Sequence, residues 1–175
     1  MATLSSTEWS LASRPEGMPK PANFGKKTVE IAAPKDGEIQ VKNEWMSVDP
    51  YMRGRMREQK SYTPGFELGQ VLQAGAVGEV IVSNDASLAV GDLVEGRLGW
   101  ETYSVAKATN VNKVDGNVGS LSHYLGVLGM PSMTAWVGLR NIGQPKPGET
   151  VYVSAASGAV GQVAGQIAKM QGCHV

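Results

Sequence analysis

The chain has 175 residues, of which 42% are apolar and 18% are charged, a composition typical of a globular protein with a buried core. Its 16 basic and 16 acidic residues cancel, so the net charge excludes a purely electrostatic attraction to nucleic acid or to an anionic membrane. The single cysteine, Cys173, excludes an internal disulfide, and no apolar run is long enough for a signal sequence or a membrane span, so we expect a cytoplasmic protein.

From about residue 28 to residue 114, short apolar runs alternate with turn signals. The chain has 22 glycines, which are scattered and not concentrated in a linker, and tight corners of β structure often need a positive φ. About six short strands with glycine at the corners predict a small β barrel. The predicted strands are Thr28–Ile31, Glu38–Val48 (ended by Asp49-Pro50), those within Gly65–Val82, Gly91–Val94 and the weakly alternating Val105–Val114.

Three arginines, Arg53, Arg55 and Arg57, form a local basic cluster after the second predicted strand. Such a cluster can bind phosphate. The simpler interpretation, a solvated or ion-paired loop, is favoured.

Helical patterns begin near residue 120. Ser122 is a candidate cap for a short helix, which Gly129-Met130-Pro131 interrupts, and helical spacing then predicts a helix over Ser132–Ile142. The two prolines in the segment Gln144–Glu149 keep that helix from continuing, so a turn is expected there.

A glycine motif follows a predicted buried strand, Thr150–Val153. Ala156-x-Gly158-x-x-Gly161 is a variant of the dinucleotide fingerprint in which alanine replaces the first glycine, and an amphipathic helix over Val160–Ala168 follows. A strand, glycine turn and helix start would bind a pyrophosphate, with Gly158 letting the backbone approach it and Ala159, Val160 and Gly161 contributing backbone amides, although such turns also occur without a ligand. The ribose-reading residue is expected about 20 positions further on, so the pattern does not choose between NAD and NADP.

Other kinds of site find little support in the sequence. One cysteine and two histidines, His123 and His174, are too few for a structural zinc and show no metal-ligand spacing. A Gly-x-Ser-x-Gly elbow is absent, and no pair of carboxylates suggests acid–base catalysis. We therefore assign no metal ligand and no catalytic residue.

Three blocks in the chain resemble one family. The blocks are Ser47–Met56 (SVDPYMRGRM), Gly126–Ala135 (GVLGMPSMTA) and Ala155–Gly161 (AASGAVG). They are similar to the zinc-independent medium-chain dehydrogenase/reductases. Within that branch they resemble the group of leukotriene hydroxydehydrogenases, prostaglandin reductases, 2-alkenal reductases and bacterial curcumin reductases. Zinc-dependent members carry Gly-His-Glu where this chain has Gly65-Phe66-Glu67.

The resemblance implies a mixed α and β fold. A GroES-like β-barrel domain is expected over residues 1–120, and connecting helices with the first strand-turn-helix of a Rossmann domain over 121–175. Because the family's chains are roughly twice this long, we expect the Rossmann domain to be incomplete and residues 1–175 alone to be inactive.

The resemblance also implies a function, the NADPH-dependent reduction of the carbon–carbon double bond of α,β-unsaturated ketones or aldehydes. It implies NADP(H) as cofactor, a homodimeric parent protein, Tyr51, Met130 and Pro131 in the substrate pocket, and Thr134 beside the cofactor. Purely structural roles explain these residues equally well. Tyr51 would then pack at the barrel rim, and Met130, Pro131 and Thr134 would form a packing cluster at the helix start. A quinone oxidoreductase of the same fold, or a non-catalytic binding or structural protein, are the alternative functions.

Overall fold

The computed structural model describes residues 4–175, which divide after Leu121 into two compact units. The first unit is mainly β structure, and the second unit, Ser122–Val175, is mainly helical. Among the described residues, no helix has the length and apolar character needed to cross a membrane.

The first unit begins with a two-stranded antiparallel sheet of β1 (Ser5–Leu11) and β2 (Phe24–Glu30). A second sheet contains β3 (Glu38–Met46), β4 (Gln73–Ser83), β5 (Leu93–Gly99), β6 (Tyr103–Lys107) and β7 (Val111–Lys113). Its strand order is β6-β3-β4-β5-β7, and every neighbouring pair is antiparallel. The two sheets are joined where Trp9 donates its backbone N–H to the Trp100 carbonyl at 2.8 Å.

The core of the larger sheet lies on one face of β3, β4 and β5. Alternate residues of these strands point the same way, so each strand contributes apolar side chains at every second position. The buried cluster contains Ile39, Val41, Ala76, Val80, Leu88, Val94, Leu98, Ala108 and Val111.

A short helix, α1 (Tyr51–Arg55), follows Asp49-Pro50 and covers a second buried cluster. Pro50 has the helical backbone angles that proline allows at a helix start. Met52 and Met56, four residues apart, therefore share a helix face and pack with Leu11, Phe66, Leu72 and Ala74.

Several strand expectations differ from the structure. β1 was not predicted, because its sequence SSTEWSL alternates polar and apolar residues too weakly for a core strand. Residues 65–72 are not a strand and form only isolated bridges to β1 at Leu68 and Val71, and β4 starts at Gln73. The strand expected at Gly91–Val94 begins two residues later and extends to Gly99.

The second unit starts with a 3-10 turn at Leu121–Leu125, followed by α2 (Met130–Trp136) and a π-helical segment, Val137–Gly143. The helix expected at Ser132–Ile142 thus begins two residues earlier. Pro131 does not interrupt it, because a proline in the first helical turn has no N–H that would need an acceptor. Gln144, in the left-handed region at φ 45°, ends the segment and donates its N–H to the Leu139 carbonyl at 2.6 Å.

The segment Thr150–Val153 is not the buried strand that its apolar sequence predicts. It forms one parallel bridge, Thr150 to His174, and the Tyr152 side chain is 90% exposed. A parallel strand is stable when neighbours bond to both edges and helices cover both faces. Among the described residues the backbone of this segment bonds only to His174, whose carbonyl accepts the Val151 N–H at 2.8 Å, so few of its backbone groups join a ladder.

The helix α3 (Gly161–Met170) confirms the amphipathic pattern after the glycine turn. Val163, Ala164, Ile167 and Ala168 lie on its less exposed face, with Ala168 fully buried. Gly172 follows the helix with φ 82°, which a glycine accommodates without strain. Cys173 is buried beyond it, with its thiol 3.4 Å from the Lys146 carbonyl oxygen.

Candidate cofactor and substrate site

The glycine turn before α3 is a compact loop held by its own backbone. Ala155 is in the left-handed region at φ 49°, and its carbonyl accepts the Gly158 N–H at 2.9 Å. A Cβ on Gly161 would collide with that carbonyl and lie 3.0 Å from the Cα of Ala156. Gly161 therefore lets α3 begin directly against the turn, a closer contact than any side chain allows.

Three consecutive backbone N–H groups at this helix start, those of Ala159, Val160 and Gly161, have no acceptor among residues 4–175. Ala159 and Val160 are exposed, and the first turn of α3 contains no acidic side chain. Unpaired amides at the positive end of a helix dipole attract anions. The turn, with its glycine contact and free donors, therefore fits the pyrophosphate of a dinucleotide.

Met130, Pro131 and Thr134 lie on α2, which packs against α3. Pro131 is buried, whereas the Met130 side chain is 56% exposed and Thr134 is exposed. The Thr134 hydroxyl donates to the Met130 carbonyl at 2.9 Å, a common arrangement for threonine inside a helix. Within this unit Pro131 has a packing role, and Met130 and Thr134 present atoms that a ligand can reach.

Gly129, which precedes α2, shows why the sequence Gly126–Ala135 folds as it does. A Cβ on Gly129 would collide with the Tyr124 carbonyl oxygen. The close approach of these two backbone segments brings the chain from the 3-10 turn into α2. The glycine thereby fixes where Met130 and Thr134 lie on the surface of the second unit.

Tyr51, in the first unit, is the first residue of α1 and packs against the second buried cluster. Burial, with a smaller contribution from Asp49, raises the pKa of its phenol, while Arg97 and Arg55 oppose the shift. Since the ordinary pKa of tyrosine is already about 10, the phenol is protonated at neutral pH. Tyr51 is therefore available as a hydrogen-bond donor on a largely apolar ring.

The expectation of a solvated or ion-paired loop is wrong for Arg55. Its side chain is only 7% exposed, its Nε donates to the Pro64 carbonyl at 2.9 Å, and its guanidinium lies 4.0 Å from the centre of the Phe66 ring. Arg53 donates to the carbonyls of Pro15 and Gly17, and Arg57 is exposed. The helical spacing of Arg55 with Met52 was the signal for its burial.

A cavity of about 910 Å³ opens beside Arg55 in the first unit, and sequence reasoning did not find it. Its lining includes Phe66, Arg97, Glu101 and Ser104, which come from separate strands and loops. Glu101 accepts a hydrogen bond from the Ser104 hydroxyl at 2.7 Å, and burial raises the pKa of its carboxyl. No local pattern brings these residues together, because strand pairing between distant segments creates the cavity.

Phe66, at the position for which the resemblance implies a histidine in zinc-dependent members, is 6% exposed and belongs to the second buried cluster. Among residues 4–175, no three side chains of histidine, cysteine, aspartate or glutamate gather as metal ligands would. Phe66 thus serves packing and holds the Arg55 guanidinium.

Comparison with known proteins gives consistent matches. A family model for the N-terminal domain of oxidoreductases matches residues 7–114. The chain is 44% identical to the NADPH-dependent curcumin reductase of Escherichia coli over 167 residues, covering 95% of this chain and 48% of that protein. It is 45% identical to the NADP(+)-dependent 2-alkenal reductase of Nicotiana tabacum, covering 91% and 48%.

A solved structure agrees with the fold. The crystal structure of CurA from Vibrio vulnificus in complex with NADPH superposes with a TM-score of 0.90 at 41% identity, covering 95% of this chain and 50% of that one. The mixed α and β fold expected from the sequence, a GroES-like domain followed by the start of a Rossmann domain, is thereby confirmed. The chain spans about half the length of the curated relatives that it matches.

Proposed function

The chain belongs to an oxidoreductase family, the zinc-independent branch of the medium-chain dehydrogenase/reductases, and from this membership we propose that its protein uses NADPH to reduce the carbon–carbon double bond of α,β-unsaturated ketones or aldehydes. The names of its relatives, a curcumin reductase and a 2-alkenal reductase, support this reaction class. The observation that carries the proposal is the turn at Ala155–Gly161, whose free amides and glycine contact suit a dinucleotide.

In this proposal the second unit binds the cofactor. The N–H groups of Ala159, Val160 and Gly161 donate to the pyrophosphate, and Gly158 lets the backbone approach it. Thr134, with Met130 and Pro131 beside it on α2, borders the nicotinamide and the substrate. When bound, NADPH supplies a hydride to the β carbon of the substrate. Residues 121–175 then belong to the dinucleotide-binding domain.

The GroES-like domain expected over residues 1–120 would contribute Tyr51 to the substrate pocket. Negative charge grows on the substrate oxygen as the double bond is reduced, and a donor aimed at that oxygen lowers the barrier. The neutral phenol of Tyr51 suits this role because it can donate, while its ring and the neighbouring apolar cluster exclude water. No side chain of the chain is assigned as the proton donor to the α carbon.

The homodimeric state and the cytoplasmic location stay predictions. Binding of NADP(H) in preference to NAD(H) belongs to the proposal and is supported by the NADP-dependent relatives.

The proposal is tested by following NADPH oxidation at 340 nm with the protein expressed from its complete reading frame. With a simple enone we expect turnover that a metal chelator does not reduce and a saturated ketone as the product. NADH in place of NADPH should give a much higher KM. Turnover with quinones but not enones would favour the quinone oxidoreductase alternative, and a folded protein with neither activity would favour the non-catalytic one.

A further inference from the structure

The side chain of Arg53 ties the short helix α1 to residues 12–23, the connection between β1 and β2. Its Nη2 donates to the carbonyls of Pro15 and Gly17, at 3.2 and 2.6 Å, and its Nε donates to the Gly17 carbonyl at 3.2 Å. Its Nη1 is buried without a partner among the described residues, so the guanidinium is enclosed on that side. Arg53 therefore holds one turn of backbone with a planar fork of donors, which lysine does not have.

The connection that Arg53 holds is itself fixed to the end of α1. Pro15 is buried, and the residue before it, Arg14, donates through its Nη1 to the Met56 carbonyl at 3.2 Å, where α1 ends. Gly17 has φ 69°, in the left-handed region that favours glycine, so the chain turns where its carbonyl meets Arg53. The helix and the connection thus each hold the backbone of the other.

Contacts outside α1 decide its orientation, because five residues are too few for a helix that is stable alone. Met52 and Met56 pack in the second buried cluster and hold one face of α1. Arg53 holds another face, and at 3.6 residues per turn it projects about 200° around the helix axis from Tyr51. Two faces held by different neighbours fix the rotation of α1 and, with it, the direction in which the Tyr51 side chain leaves the backbone.

Resting on the proposed function, in which the Tyr51 phenol donates to the substrate oxygen, we infer that Arg53 is a positioning residue for this reaction. It acts through Tyr51, by keeping α1 from rotating or shifting, and does not itself contact the reacting atoms. A donor stabilises the transition state only when it lies about 3 Å from the oxygen that gains charge, and a displacement of about 1 Å can cost roughly a hundredfold in rate. Loss of Arg53 should therefore lower kcat more than it raises KM.

The kinetic test is a double-mutant cycle of Arg53→Gln and Tyr51→Phe, with NADPH, a simple enone and the protein from its complete reading frame. R53Q alone should lower kcat roughly tenfold or more. In Y51F, which has no phenol to position, R53Q should lower kcat by less than about twofold further. Arg53→Lys should lose less activity than R53Q, because an ammonium can still donate to one of the two carbonyls.

Arg57→Gln is the matched control, since Arg57 is exposed and lies beyond the end of α1. It should leave kcat unchanged. The same fold loss of kcat from R53Q with and without the phenol would overturn the inference, because a purely structural effect does not depend on Tyr51. An unchanged kcat in R53Q would also overturn it. If R53Q does not fold, R53K takes its place in the cycle, and the same outcomes decide.

A spectroscopic measurement separates this inference from the proposed reaction, because it needs no turnover. In protein labelled with fluorotyrosine, the fluorine NMR signal of Tyr51 is assigned by its absence from Y51F. We expect this signal to shift and broaden in R53Q, to change less in R53K and to stay in place in R57Q. If no enone is reduced, the proposed function fails, whereas a signal that changes in the Arg53 variants alone still supports the positioning of Tyr51. A Tyr51 signal that is the same with and without Arg53 would overturn the inference.

Discussion

At the scale of the residue, Glu101 shows how burial changes the chemistry of a carboxyl group. Burial raises its pKa, Glu8 adds to the rise, and hydrogen bonds from Ser104 and the Gly99 backbone oppose it. A raised pKa means that the folded state binds this proton more tightly than the unfolded state does. The stability that Glu101 contributes is therefore present at low pH and is lost as the pH rises through its folded-state pKa.

We predict that Glu101→Gln raises the melting temperature relative to the unmodified chain at pH 8 and has little effect at pH 4, where the Glu101 carboxyl is mostly protonated. The glutamine Oε1 can still accept from the Ser104 hydroxyl, and no charge is buried. Comparing the two proteins at each pH cancels the acid loss of stability due to Asp85 and Asp92, whose pKa values are lowered. Thermal unfolding followed by circular dichroism between these pH values is the measurement.

Glu67→Gln is the control, because this carboxylate is exposed. It should change the melting temperature little at either pH. A difference between E101Q and the unmodified chain that is the same at all pH values, or larger in acid, would contradict the role given to burial.

Single residues were predictable where local sequence decides their surroundings. The role of Gly161 was predictable from its position in the dinucleotide fingerprint, where the last glycine allows close packing of the helix. In the structure Gly161 lies close to the Ala155 carbonyl, as that role requires. Arg55 and Arg97 were not predictable as a pair, since 42 positions of sequence separate them and only the sheet brings both to one cavity.

At the scale of the element, α3 and its turn depend on two glycines with opposite roles. Gly161 touches the turn backbone, whereas a Cβ on Gly165 would meet only the Val175 side chain, at an ordinary distance of 3.5 Å. Both are helical, so helix propensity alone would favour alanine at either position. Gly161 and Gly165 therefore separate the effect of the close backbone contact from the effect of helix propensity.

We predict that Gly161→Ala destabilises the second unit by about 1–3 kcal/mol, the range for overpacked sites, and weakens NADPH binding because the turn must open. Gly165→Ala should stabilise α3 by about 0.5–1 kcal/mol and leave NADPH affinity unchanged. Thermal unfolding and fluorescence titration with NADPH, on the protein from its complete reading frame, give both quantities. Equal effects of the two substitutions would show that the Ala155 contact has no special role.

Elements were predicted best where their pattern is local and complete. The amphipathic period of α3 and the alternation of β3 and β4 can be read from short windows. Thr150–Val153 has the composition of a buried strand, but strand formation depends on partners elsewhere, and one bridge to His174 is all it makes among the described residues. β1 shows the opposite case, a weakly patterned segment made into a strand by pairing with β2.

At the scale of the whole molecule, the two units differ in how much they bury. The first unit has two clusters of buried apolar side chains. In the second unit the buried side chains are Pro131, Ala135, Ala168 and Cys173, three of them small, and Met133, Ile142 and Met170 are more than half exposed. Stability that comes from apolar burial is therefore concentrated in the first unit.

We predict that amide hydrogens exchange most slowly in β3 and β4 and much faster in α2 and α3. Opening free energies within one protein range from near zero to the global value of ~5–15 kcal/mol, and regions with few buried contacts lie at the low end. Hydrogen exchange followed by mass spectrometry of the 175-residue chain resolves the two units. Protection in α3 equal to that in β3 would contradict the prediction.

The one thiol of the chain, that of Cys173, lies in the less buried unit, where the residue is 8% exposed and its sulfur contacts the Lys146 carbonyl oxygen. A maleimide or disulfide reagent can modify it only when that unit opens, because the reagent must reach a sulfur that is buried in the closed form. The rate at which Cys173 is modified thus reports how often the second unit opens, and no engineered label is needed. The first unit has no cysteine, so its opening gives no signal in the same experiment.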